Sequence, residues 1–229
     1  MFNPRPTIRY VPLTASHTCA VIDDFLAEPH KLVDYAAAQR EQFAMDPDNC
    51  YPGQELGLGP AVSAALAQYL ALHVRHALGM RRMLKASARL ALATLPGQQL
   101  SGLQRLCHRD AISLPTGEGV AASVAYLFQD SAMGGTSFYV PRKPGAGNGA
   151  LPASRCGERP EPGCLSYLTE SNDWFEQVCS VPARFNRAIF YEGTVFHAAQ
   201  IERPDLLAAD PAQGRLTMNG FFHYRRNAS

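Results

Sequence analysis

The spacing of hydrophobic positions changes character near residue 80. Before that point, TCAVIDDFL (18–26) reads as a short strand ending in an acidic turn. Pro29 then opens HKLVDYAAAQREQF, an alanine-rich stretch of good helix formers, and proline suits a first helical turn. From about Ala61 to Leu78 a second helix is expected, because Leu66, Leu70, Val74 and Leu78 recur at fours along one side. The intervening DPDNCYPGQELGLGP (46–60) is loop by composition. Residues 1–80 therefore predict a mainly helical lead-in.

After Met80, short segments with β-branched or aromatic content alternate with turn signals. Strands are expected at 86–94, 103–110, 121–128, 136–140, 184–191, 195–201 and 215–224. Residues 141–164 are dense in proline and glycine and interrupt the series, and a short helix is expected around 166–178. Many short strands after helices predict an α+β, mainly β fold, a sandwich or barrel supported by helices. A single domain, 1–229, is expected, with a β core over 81–229. There is no GxGxxG, no P-loop and no βα alternation, which argues against a dinucleotide-binding fold.

Composition adds limits. Of 229 residues, 46% are hydrophobic and 18% charged, and the formal net charge is +1, so a nucleic-acid binder held by phosphate contacts is disfavoured. No stretch resembles a signal peptide or approaches a membrane span, so a soluble cytoplasmic protein is expected. The six cysteines form no CxxC pair and read as free thiols. Cys156 and Cys164 share one loop, and a small zinc site there is the lesser alternative.

The sharpest local feature is His108-Arg109-Asp110. On a strand, side chains two apart share a face, so His108 and Asp110 converge as a two-ligand bite for a divalent metal. Alone, such a triplet also fits an ordinary polar strand end. A facial triad needs one more neutral imidazole from a separate strand, and His197 in VFHAAQI is the best candidate, with His223 a weaker rival. His17, His30, His73 and His76 read as surface or helix histidines. Arg215 heads the apolar strand RLTMNGFF, where an unpaired charge would be costly. Its guanidinium suits bidentate recognition of a carboxylate, and Thr217, on the same face, adds a hydroxyl.

The order of these pieces, HRD, VAYLF, GGTSFYV, RAIFYEGTVFHAA and GRLTMNGFF, resembles the prolyl-4-hydroxylase-like branch of the iron(II)/2-oxoglutarate oxygenases. The resemblance covers roughly 18–45 and 86–224, with specific motifs only in the carboxyl-terminal half. It implies a double-stranded β-helix (jelly-roll) core, with Fe(II) on His108, Asp110 and His197. It also implies 2-oxoglutarate as co-substrate, its distal carboxylate held by Arg215 and Thr217 and reached by Tyr126, and ascorbate as an accessory reductant. Tyr126 reads equally as a core aromatic. Gly134 and Gly135 match turn glycines that serve the backbone. Residues 198–214 form a longer connection than many relatives carry, so that loop must fold away for His197 and Arg215 to approach one cofactor.

Two histidines and a carboxylate leave three positions open on an octahedral iron, room for a chelating oxoacid and oxygen. Hydroxylation or a related C–H oxidation is expected, since Asp110 fills the position a halide would need. Two alternatives stand beside this reading. One is a zinc hydrolase on the same ligands, for which Glu192 is the nearest carboxylate to act as base, although it reads as a turn residue. The other is a barrel that binds a small molecule without turnover. An amino acid, peptide or natural-product intermediate is the expected substrate, contacted by loops 46–60 and 141–164, where Tyr51 is a candidate.

Overall fold

The structure, a computed structural model, describes residues 1–46, 50–111, 113–143 and 166–227. In chain order its strands and helices are β1 (Ile8–Pro12), β2 (Thr18–Ile22), α1 (Pro29–Ala38), β3 (Gly53–Gly57), α2 (Pro60–His73), β4 (Met80–Ala93), β5 (Glu118–Tyr126), β6 (Thr136–Pro141), β7 (Phe175–Val181), β8 (Ala188–Glu192), β9 (Phe196–Ala199) and β10 (Arg215–Arg226). A seven-stranded sheet runs β1-β2-β8-β5-β10-β4-β3, and a three-stranded sheet runs β7-β6-β9. Every pairing is antiparallel. The two sheets face each other as a double-stranded β-helix core and do not close into a barrel.

Strand periodicity sorts β10 into two working faces. Leu216, Met218, Phe222 and Tyr224 are buried in the core shared with the two helices, where α2 contributes Leu66 and Leu70. The expected row at fours, Leu66, Leu70, Val74 and Leu78, is entirely buried, although α2 stops at His73 and the last two lie in the turn beyond. The opposite face of β10 carries Arg215, Thr217, Asn219 and Phe221, which line a cavity between the sheets. A second core, with Val21, Tyr126, Ile189 and Tyr191 against Phe138 and Val181, joins the two sheets beside that cavity.

Four expectations need correction. Both expected helices form in the first eighty residues and β2 falls where a strand was expected, but the stretch is more than a helical lead-in, because β1 and β3 also join the large sheet. The stretch 46–60, expected to be loop, contains β3. Its glycine-rich composition hid a strand whose Leu56 enters the core and whose Glu55 pairs with Arg89 on the neighbouring strand. Residues 103–110 are not a strand. Ser101 and Gln104 form a reciprocal cap, Ser101 N–H donating to Gln104 Oε1 at 2.8 Å and Gln104 N–H to Ser101 Oγ at 3.4 Å, and a 3-10 turn follows at Leu103–Arg105. Finally, the helix expected at 166–178 is absent and 175–181 is strand β7. The Asn172 side chain accepts from the N–H groups of Trp174 and Phe175, a turn that launches the strand, and pairing with β6 overrides helix propensity. Most of the insert 141–164, with Cys156 and Cys164, lies outside the described residues.

Candidate metal centre

His108 and His197 come from different segments but exchange both backbone bonds. His108 N–H donates to His197 O at 3.0 Å and His197 N–H to His108 O at 2.9 Å, an isolated bridge that lays His108 alongside β9. Two residues on, Asp110 N–H donates to Gly193 O at 2.7 Å, so the HxD segment is pinned at both ends without being a regular strand. The outcome matches the same-face expectation: ligand atoms of His108, Asp110 and His197 all lie within 4.8 Å of one another.

Supporting contacts fix the ligands' orientation. Val195 O lies 2.9 Å from His197 Nδ1, which assigns the proton to Nδ1 and leaves Nε2 as a lone-pair donor, 3.7 Å from Asp110 Oδ1. Tyr191 packs edge-on against the His197 ring at 4.7 Å between centroids. Burial lowers the pKa of both imidazoles to about 4, the charge of His197 adding to the effect at His108. Both rings are therefore neutral at neutral pH, the form a metal requires. Burial also raises the Asp110 carboxyl, with His108 and Arg89 pulling the other way. A carboxylate whose side chain is 16% exposed, beside two neutral imidazoles, fits a divalent cation that would offset its partial desolvation.

Gly193 is a site residue that the sequence reading left unassigned. A Cβ there would lie 2.5 Å from Asp110 Oδ2 and 3.0 Å from its Cβ. Gly193→Ala should therefore swing the Asp110 carboxylate out of position without disturbing the core. Iron(II) affinity is expected to fall by about ten- to a hundredfold, as for lost support of a ligand, with the melting temperature little changed. Iron titration beside a thermal melt checks both halves.

The ligands open onto a cavity of about 480 Å³, and Arg215 and Thr217 line the same space. Arg215 is 3% exposed. Its Nε donates to Met133 O at 2.9 Å, and one Nη donates to Gly134 O at 3.2 Å and Gly135 O at 2.9 Å. Phe128 lies 5.5 Å from the guanidinium carbon. No carboxylate among the described residues pairs with this charge. The two glycines serve the backbone, as expected: Gly134 has φ +82°, and a Cβ on it would strike Gln200 O, so only glycine turns these carbonyls toward Arg215.

Around Arg215 stand hydroxyl groups. Thr217 donates to Ala91 O at 3.3 Å, and the buried Tyr51 hydroxyl, lining the same cavity, has its pKa pushed up to about 12 by burial, with the Arg215 charge pulling the other way. Tyr126 is fully buried and does not line the cavity; its hydroxyl shares a 2.8 Å bond with Thr136 Oγ1, and Thr136 is the cavity residue. Tyr167 also lines the cavity, its hydroxyl donating to Leu95 O at 2.7 Å. Tyr51 stood in a loop expected to contact substrate, whereas Tyr167 fell in a stretch expected to be helix and carried no signal of its own.

Other candidates lie elsewhere. Glu192 is clamped by Arg226, at 2.6 Å and 3.2 Å, and is not a cavity residue, which removes the base a zinc hydrolase would need. His223 pairs with Glu118. The connection 198–214 does fold away: Leu206 and Leu207 pack against the core, and Asp210 closes a turn with Gln213 and Gly214. No described helix is long and apolar enough to cross a membrane.

With this geometry in place, the fold aligns with solved structures of non-haem, α-ketoglutarate-dependent enzymes. The carbocyclase SnoK from nogalamycin biosynthesis is 14% identical, with 93% of this chain and 81% of that chain covered at a TM-score of 0.55. The epimerase SnoN from the same biosynthesis is 12% identical, covering 91% and 81% at 0.51. The chain thus has the double-stranded β-helix fold of the 2-oxoglutarate-dependent oxygenases. It belongs to a family of unknown function, DUF6445, whose model matches residues 4–222. No curated protein matches it in sequence.

Proposed function

We propose that the chain is an Fe(II)/2-oxoglutarate-dependent oxygenase, with iron held by His108, Asp110 and His197 and the distal carboxylate of 2-oxoglutarate held by Arg215. The observation that carries this reading is the pairing, in one cavity, of a neutral-imidazole and carboxylate cluster with a buried guanidinium that has no carboxylate partner among the described residues. A buried, uncompensated cation favours an anion strongly, and a carboxylate on Arg215 accepts charge-assisted hydrogen bonds. Tyr51 adds a hydroxyl beside it, and Thr217, whose proton goes to Ala91 O, adds a second polar group that donates to the oxoacid only if that bond is exchanged. When bound, iron and the oxoacid supply oxygen activation coupled to decarboxylation, and the protein's part is to orient both against a C–H bond and exclude water. The apolar walls, Leu106, Leu168 and Phe196 among them, suit that exclusion. A small-molecule substrate is in keeping with SnoK and SnoN, both from nogalamycin biosynthesis.

The test needs no prime substrate. Adding 2-oxoglutarate anaerobically to the iron(II) form should produce a visible absorption band, and oxygen with ascorbate should then release succinate, if only slowly. Iron bound without either signal defeats the reading.

A further inference from the structure

The floor of the cavity does not end at its rim. Phe221 of β10 and Arg89 of β4 line the cavity, and both strands run on past them. Side chains two apart share a face, so His223 and Arg225 on β10, and Ser87 and Lys85 on β4, continue that floor outward. Arg82 stands opposite Arg225 and rejoins the same face after a register shift. Glu118 of β5, on the other side of Arg225, completes it. The two faces of this stretch differ. Phe222 and Tyr224 are buried against the helices, whereas Arg82, Lys85 and Ser87 are exposed and the Arg225 side chain retains 51% exposure. Among the described residues, nothing covers the basic face.

Charge and backbone together select what can lie there. Glu118 is shared between His223 and Arg225. Arg82 and Lys85 form no ion pair among the described residues, so positive charge is in excess. Beside the face runs an open edge. β3 pairs with β4 only over Arg89–Ala93, and no strand among the described residues pairs with the outer side of β4 from Met80 to Ser87. The register shift next to Lys85 leaves Leu84 without a partner on β10, and it is 38% exposed. A second copy of the chain is a poor occupant, since edge-to-edge pairing would bring Arg82 and Lys85 against the same cations. A nucleic-acid backbone would use the charge, but it would meet Glu118 and leave the strand edge unpaired. An acidic peptide uses both the charge and the edge.

We infer that this face docks an acidic, extended segment of a polypeptide prime substrate, its backbone paired along the open edge of β4 and its carboxylates on Lys85, Arg82 and Arg225. That the docked peptide is a substrate rests on the oxygenase reading; the docking itself does not. His223 stands about 7 Å beyond Phe221, at roughly 3.4 Å per residue, so a segment held there has its neighbouring residues at the cavity rim. Arg215 heads β10 at its other end, which leaves the oxoacid anchor clear of the peptide.

The test uses the full chain without metal and blocked peptides of equal length that alternate threonine with glutamate, glutamine or lysine. A thymidine oligonucleotide matching the charge of the acidic peptide is the fourth probe. By fluorescence anisotropy at low salt, the acidic peptide should bind about five- to twentyfold more tightly than the glutamine peptide, the combined value of two or three exposed ion pairs. That preference should fade as salt rises. Lys85→Glu and Arg82→Glu should each keep the melting temperature and lose most of the preference. Arg5→Glu, the same change of charge just before β1 at the opposite edge of the sheet, should leave it intact. A nitroxide on one peptide terminus should broaden the amide signals of Phe221 and Arg89 at the rim. The inference is overturned if no peptide binds, if the glutamine peptide binds as well, or if the oligonucleotide binds more tightly. It is equally overturned if the preference survives both reversals on β4, if Arg5→Glu removes it, or if neither terminus reaches the rim. The acidic peptide is then added to protein loaded with zinc(II) and 2-oxoglutarate. Both should bind together, and displacement of the oxoacid also overturns the inference. Failure of 2-oxoglutarate to bind before any peptide is added sinks the oxygenase reading and leaves the docking result standing.

Discussion

Alanine at His108 or Asp110 is expected to abolish stoichiometric iron(II) binding and succinate formation while leaving the two-sheet core folded. The backbone explains why the fold should survive. The bridge between His108 and His197 and the bond from Asp110 to Gly193 run through main-chain atoms that alanine retains. Removing Asp110 also removes a partly desolvated carboxylate, its side chain 16% exposed, whose cost the metal-free protein must bear, so the apo variant should melt no lower than the apo wild type. His197→Ala is the stricter comparison, because His197 comes from a different part of the chain. Loss of support to a ligand commonly costs about ten- to a hundredfold in metal affinity, so loss of the ligand itself should cost more. Iron content by a chelator assay, circular dichroism and coupled succinate detection decide the matter. Full occupancy in both His108→Ala and Asp110→Ala removes the triad from the site, and equal succinate from wild type and His197→Ala removes His197.

The triad could be read from the sequence because its geometry is local and stereotyped. Two residues apart on extended backbone converge whether or not a full strand forms, and here one bridge and one added hydrogen bond suffice. Arg215 could be read for another reason: a charge at the head of the apolar run RLTMNGFF must be partnered or functional. What escaped was everything fixed by tertiary pairing. The strand Gly53–Gly57 carries little β propensity and exists because β4 offers it an edge. The Phe175–Val181 segment has mixed propensity and is decided by β6. Tyr51, Thr136 and Tyr167 line the same cavity as Arg215 from three distant stretches, and no spacing rule unites them. Tyr126 shows the converse. Its family position was recognisable, but its hydroxyl is turned to Thr136, so it stands one residue back from the cavity. One local signal was present and unused: Ser101 and Gln104 are spaced as a capping box, which forbids a strand through 103–105.

Arg215 has two functions that one substitution can separate. It donates to the carbonyls of Met133, Gly134 and Gly135, which locks the turn before β6, and it presents a positive charge to the cavity. Arg215→Ala removes both. Gly135 O keeps the Gln200 N–H at 3.1 Å, but Met133 O and Gly134 O lose their Arg215 donor at about 1–3 kcal/mol each, so a clear fall in melting temperature is expected along with the loss of oxoacid binding. Arg215→Lys keeps the charge and can satisfy part of the carbonyl cluster, but it lacks the planar fork. The lysine variant should therefore retain most of the stability and iron affinity while 2-oxoglutarate affinity falls by about tenfold or more, the equivalent of one charge-assisted contact worth about 1.5–3 kcal/mol. The comparison is made by titrating the visible band of the anaerobic iron(II) protein with oxoacid, with iron content measured on the same samples. Pyruvate, which lacks the distal carboxylate, supplies the internal control, since its weaker chelation should be nearly the same in wild type and Arg215→Lys. If 2-oxoglutarate affinity is unchanged in the lysine and alanine variants alike, the distal carboxylate is held elsewhere, and Arg215 is left as a clamp on the turn.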